Sequence, residues 1–130
     1  MKDALRFFAA WHALGWTLVA FVIYASLTPA PPSLPVECGD KLGHVLAYTT
    51  LMLWFAWLYR RGSTRLYFAL GFVALGIALE FAQGTTDYRS FELADMAADG
   101  IGVALGWVIA RSPLPNLFVL VERRLLGARR

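Results

Sequence analysis

LYFALGFVALGIALEFAQGTTDYRSFELADMAADGIGVALGWVIA, residues 66–110, consists of two apolar runs joined by a polar connector, and its reading decides the fold. Each run approaches the roughly 17 to 25 residues that a helix needs to cross a bilayer core, at about 1.5 Å of rise per residue. Working outward, the pattern recurs towards the N-terminus, so that apolar runs occupy about 5–27, 42–59, 66–82 and 93–110. In lipid a helix satisfies its own backbone hydrogen bonds, which an open strand cannot do. The expected fold is therefore all-α: one membrane domain over 1–130, a polytopic bundle of four transmembrane helices. With 58% hydrophobic and 16% charged residues, a soluble chain of 130 residues would have no way to hide its apolar surface.

The cations alternate by connector. Lys2 and Arg6 precede the first run, Arg60, Arg61 and Arg65 fill the link between the second and third, and Arg111, Arg123, Arg124, Arg129 and Arg130 follow the fourth. Ten of the twelve thus fall on one side, which the positive-inside rule makes cytoplasmic together with both termini. The same distribution accounts for the net charge of +3 without nucleic acid as a partner. Lys41 and Arg89 are the exceptions, and both sit beside acidic residues on the outer side. The first run follows basic residues as a signal peptide does, but it is longer than the usual core of about 7 to 15 residues and Pro31 follows Ala30, the one suitable cleavage point. It is expected to stay as an anchor. Cys38, the single cysteine, has no internal disulfide partner.

Pro29, Pro31, Pro32 and Pro35 predict a stiff, extended first outer connector. Asp40 is placed to cap the second helix, Ser63 or Thr64 the third, and Gly84 to end it; the fourth is expected to begin near Ser90. Ala98, Gly102 and Gly106 recur every four residues, a spacing that lets a neighbouring helix come close, and Ala74, Ala78 and Ala82 form a similar stripe on the third helix. Those two helices are expected to pack together. Beyond Pro113 and Pro115, apolar residues and arginines alternate over about 114–127, which predicts a short amphipathic helix on the cytoplasmic lipid surface.

With this topology every strongly polar residue in or beside helices two to four falls at the outer face. Asp40, Lys41, His44 and Tyr48 enter on helix two, Glu80 and Gln83 arrive on helix three, Arg89 lies in the connector, and Asp95 and Asp99 leave on helix four. Spacings of three or four residues put Asp40 with His44 and Tyr48, Glu80 with Gln83, and Asp95 with Asp99 on shared helix faces. A charge at the bilayer centre costs roughly 2.5 to 3.5 kcal/mol by insertion measurements, so Glu80 and Asp99 should face the bundle interior. These nine residues are the candidate ligand-binding set, with His44 and Glu80 as candidate general bases. Four carboxylates face two cations, a surplus that calls for a proton, a cation or a basic ligand. His44, Glu80 and Asp99 could in principle ligate a metal, but no dense ligand motif is present, and neither a metal nor another cofactor is expected. A hydrogen-bonded lattice that fixes helix register is the structural alternative.

At these residues the chain resembles the VanZ-like family, small membrane proteins named after a teicoplanin-resistance determinant. The resemblance rests on Ser26-Leu27-Thr28-Pro29, then Asp40-Lys41 with His44 and Tyr48, Glu80 and Gln83, Arg89, Asp95, Ala98-Asp99, Gly102 and Gly106, and spans about residues 15–107. In the family pattern the position of Asp99 is commonly Asn, so this chain adds a carboxylate there. The resemblance implies a protein of the bacterial cell envelope, in the inner membrane, and for some members lowered sensitivity to lipoglycopeptides; it supplies no catalytic mechanism. Three functions follow as expectations. One is a binding protein whose outer site meets a polar or lipid-linked envelope ligand through Arg89 and Lys41. Another is an intramembrane enzyme acting on an envelope lipid through His44 or Glu80. The last is a structural partner in an envelope complex or a homo-oligomer, using helix four. Membrane lipids, a lipid-linked precursor or a lipoglycopeptide are the partners these readings name.

Overall fold

A computed structural model describes residues 5–127 and folds them into five helices: α1 (Phe8–Leu27), α2 (Gly39–Leu58), α3 (Gly62–Gly84), α4 (Leu93–Arg111) and α5 (Leu117–Gly127). Lys2, Arg129 and Arg130 lie outside the described residues. By length and composition α1, α3 and α4 can each cross a membrane. The expected fourth span, α2, matches α1 in length at 20 residues but is not among them. Its first turns hold Asp40, Lys41 and His44, and it is the most enclosed helix, with Tyr48, Leu51, Met52, Phe55, Ala56 and Leu58 buried. A helix wrapped by its neighbours has little lipid to satisfy, so its composition can be more polar.

The bundle is organised around α2, whose most extensive partner is α4. The small-residue stripe of α4 explains this. A Cβ added at Gly102 would lie 2.6 Å from the Val45 carbonyl oxygen, and one at Gly106 would lie 2.7 Å from that of Thr49, so the backbones nearly touch. The stripe therefore faces α2 and not, as its spacing alone suggested, the alanines of α3; Ala74 and Ala78 are exposed. α3 still meets α4, through Gly76 against Asp99. α1 lies on the outside, with only Gly15 and Val19 buried, and shows Leu14, Trp16, Phe21 and Tyr24 outward as a lipid-facing surface would.

Helix ends depart from the sequence expectation in instructive ways. α2 starts after Cys38, which adopts φ 56°, so Asp40 falls within the first turn and does not cap it. Neither Ser63 nor Thr64 caps α3, which begins at Gly62, and α4 begins at Leu93, later than Ser90. The C-terminus of α2 is closed by Arg65 of α3, which donates to the carbonyls of Ala56 and Tyr59, a cation at the negative end of the helix dipole.

α5 is docked more tightly than a surface anchor. Phe118 is buried and stacks on Trp11 at 4.4 Å between ring centroids, and Glu122 is buried beneath α1. The Glu122 carboxylate accepts hydrogen bonds from the N–H groups of Arg6 (2.7 Å) and Phe7 (2.9 Å) and from the Trp11 indole (2.9 Å). It thereby serves donors at the start of α1 that have no partner within the helix. Burial pushes the carboxyl upward, but these three donors and the charge of Arg6 outweigh it and hold the group below its ordinary value. A depressed carboxylate stabilises the fold fully above its unfolded-state value, and the contribution is lost as pH falls through the lower folded value. Glu122→Gln is accordingly expected to speed amide exchange at Arg6 and Phe7 at neutral pH, by roughly tenfold for about 1.4 kcal/mol. The variant should also lose most of the wild-type dependence on pH below about 4.5. Unchanged exchange in the variant would mean that α5 does not hold α1.

Candidate functional site

The first three turns of α2, the helix that packs on both α1 and α4, carry Asp40, Lys41, His44 and Tyr48. Opposite them, the first two turns of α4 bring Asp95 and Asp99, both buried. Lys41 Nζ donates to Asp95 and to Glu92 and lies 3.7 Å from Asp40. His44 Nδ1 stands 2.7 Å from Asp99 Oδ1, while Nε2 is 3.6 Å from Asp95 Oδ2, beyond a direct hydrogen bond. Asp99 in turn abuts Gly76 of α3, where a Cβ would come within 2.7 Å of Oδ2. The absence of a side chain at Gly76 is thus what lets Asp99 sit between the helices.

Glu80 and Gln83 work at the edges of this network. Glu80 is almost wholly buried and accepts the backbone N–H of Glu92, pinning the start of α4 to the end of α3. Gln83 donates to the Ser26 carbonyl at 2.7 Å and so ties α3 to the end of α1; its own Oε1 is buried without a protein partner. Glu92 is the site residue that the sequence reading left out of the set. It stands three residues before Asp95, the spacing that would have paired it with the same lysine, and the Lys41 ammonium holds its carboxyl below the ordinary range.

Between α1, α2 and the proline-rich connector lies a cavity of about 150 Å³. Its polar wall is Asp40, His44, Tyr48 and Arg89; its apolar wall comes from Phe21, Val22 and Ala25 of α1 with Pro31 and Pro32. The proline segment that follows Thr28 contributes Pro31 and Pro32 to this wall. Of the nine candidate residues, the fold thus brings Asp40, Lys41, His44, Asp95 and Asp99 into one charged network. Asp40, His44, Tyr48 and Arg89 meet around the cavity, while Glu80 and Gln83 fix the helix ends behind it.

The family model described as VanZ/LLP1 matches residues 4–119 of this chain. The chain belongs to the VanZ/LLP1 family. The match takes in α1 to α4 and the first residues of α5, so the whole polar network lies within it. A curated relative from Schizosaccharomyces pombe, described as uncharacterized protein C11E3.10, is 33% identical over 112 residues, covering 84% of this chain and 68% of its own length. No solved structure matches the chain.

Chemically, the VanZ/LLP1 site offers an oriented histidine, a half-buried ion pair and an arginine at a cavity wall. Among the described residues, the atoms of Asp40, His44 and Asp95 lie within 4.8 Å of one another and could ligate one cation. That grouping replaces the sequence-based set of His44, Glu80 and Asp99: Glu80 is turned to the α4 backbone, and Asp99 sits behind the imidazole. The Lys41 ammonium already stands among the same carboxylates and supplies positive charge there.

Proposed function

We propose that the chain is a four-span membrane protein, both ends cytoplasmic, whose outer-face cavity binds the zwitterionic head group of a glycerophospholipid. The observation that carries this reading is Arg89. It lines the cavity together with Phe21, Val22 and Ala25 of α1, and has no hydrogen-bond or ion-pair partner among the described residues. Lys41, its equal in the sequence, is engaged by Asp95 and Glu92. A guanidinium meets phosphate oxygens in a bidentate fork, and an apolar wall beside it suits the glycerol and first methylenes of a lipid.

Asp40, on the same cavity, gives the ammonium of an ethanolamine head group a partner. Asp40, Glu92, Asp95 and Asp99 set four carboxylates around the one cation Lys41, and a ligand with its own amine relieves that excess. The yeast relative favours a lipid found in both kinds of cell over a peptidoglycan precursor. In a bacterial host the protein would lie in the inner membrane, and a teicoplanin phenotype would follow from its action on envelope lipid.

Orientation is supported by Arg60, Arg65 and Arg123, which line one cleft near α5, away from the cavity. Cys38 is exposed beside the outer connector, so a membrane-impermeant maleimide should label it in intact cells or spheroplasts. Labelling only after permeabilisation would reverse the topology. For the ligand, Arg89→Ala is expected to weaken binding of short-chain phosphatidylethanolamine to the detergent-purified protein by about tenfold or more, or about 1.4 kcal/mol, with Arg89→Lys in between. Equal titration curves for wild type and Arg89→Ala would remove the head-group reading.

A further inference from the structure

The geometry points to a second step at the same cavity: we propose that His44 activates water to hydrolyse the phosphodiester of the bound head group, with Asp99 as its positioning residue. This rests on the head-group reading above. The Asp99 carboxylate, 2.7 Å from Nδ1, can only accept, so the neutral imidazole keeps its proton on Nδ1 and presents Nε2 as the free acceptor. Nε2 makes no hydrogen bond of its own, Asp95 Oδ2 being 3.6 Å away, and the side chain is 14% exposed, so water reaches it from the cavity it lines. Arg89 stands on the same cavity, where its guanidinium and the His44 imidazole can meet one phosphodiester. Glu80, the other candidate base, is spent on the Glu92 backbone and lies outside the cavity lining.

The step balances without a further reactant. Nε2 takes one proton from water as the hydroxide oxygen bonds to phosphorus. Arg89 stabilises charge on the non-bridging oxygens. With the ammonium end held by Asp40, one helical turn before His44, the glycerol oxygen lies on the far side, toward the apolar wall of α1. In-line displacement therefore breaks the bond from phosphorus to the glycerol oxygen; its electron pair stays on that oxygen, which takes a proton from solvent, and His44 returns its proton to solvent. The products are diacylglycerol and phosphoethanolamine.

The test uses the full chain in nanodiscs containing phosphatidylethanolamine, in ¹⁸O-enriched water, with products and retained lipid measured by mass spectrometry. The expected result is ¹⁸O in phosphoethanolamine and none in diacylglycerol. His44→Gln should lower turnover at least about 100-fold, and Asp99→Asn at least about tenfold, both with lipid still bound. Label in diacylglycerol, full turnover by His44→Gln, or turnover that requires an added divalent metal would each overturn the proposal. Lipid on wild type released from the nanodisc, with no product formed, would sink hydrolysis alone, whereas neither product nor phosphatidylethanolamine on the released protein would sink the head-group reading with it.

Discussion

Gly102→Val should leave little folded protein, at a cost of about 3 kcal/mol or more. The added carbons would enter a space where the Val45 carbonyl oxygen is 2.6 Å, and the Thr49 nitrogen 3.0 Å, from the position of a Cβ. Those neighbours belong to the backbone of α2, which cannot turn aside as the tip of a long side chain can. Relief requires α4 to move away from α2, and that separation would open the seam along which the charged network is built. Gly106 meets α2 in the same way one turn later, so the two sites describe one continuous contact. Gly100→Ala is the internal control: it lies on the same helix, and nothing stands within 4 Å of its added Cβ. Thermal unfolding in detergent should place Gly100→Ala at or above wild type and Gly102→Val far below it. Equal midpoints for the two variants would mean that α4 does not approach α2 along this face.

Lys41→Met should also destabilise strongly, for an electrostatic reason. Asp95 is buried, with 4% of its side chain exposed, and Lys41 is its cation. Breaking a buried pair by removing one partner costs about 3 to 5 kcal/mol, because the remaining charge stays in place uncompensated. Lys41 is itself one-third exposed, so solvent screens the pair and lowers the expectation to about 2 kcal/mol. Adding Asp95→Asn should recover most of that loss, since the orphaned charge is then gone. A double-mutant cycle on unfolding free energies in detergent reads the coupling directly. Strictly additive losses would show that Lys41 and Asp95 are independent, and the network would have to be redrawn.

Much of this site was legible from spacing. The pairs Asp40 with His44 and Asp95 with Asp99 repeat at one helical turn, and helix periodicity put each pair on one face before any contact was known. The identity of the neighbour was not legible. The run Ala98, Gly102, Gly106 announces that some backbone comes close, but small residues say nothing about whose, and only the fold shows that it is α2. The relative standing of Lys41 and Arg89 was hidden for a similar reason, since both stand apart from the other ten cations in the sequence and the distinction arises when Glu92 and Asp95, at the start of α4, converge on the lysine.

Two further features depend on partners far away in the chain. α2 is not among the helices apolar enough to cross a membrane, since Asp40, Lys41 and His44 occupy its first turns, and its enclosure by the other helices is a tertiary circumstance that composition does not record. Glu122, set among arginines, reads locally as one charge on a surface helix; its donors Arg6, Phe7 and Trp11 lie more than 110 residues earlier.

The central claim, that the cavity between α1 and α2 holds a phospholipid head group, is tested most directly by native mass spectrometry of the protein released from its own membranes. The account predicts one retained glycerophospholipid per chain, lost on Arg89→Ala but kept on Lys41→Met in whatever folded protein survives. Bare wild-type protein, or a lipid retained equally by Arg89→Ala, would contradict it.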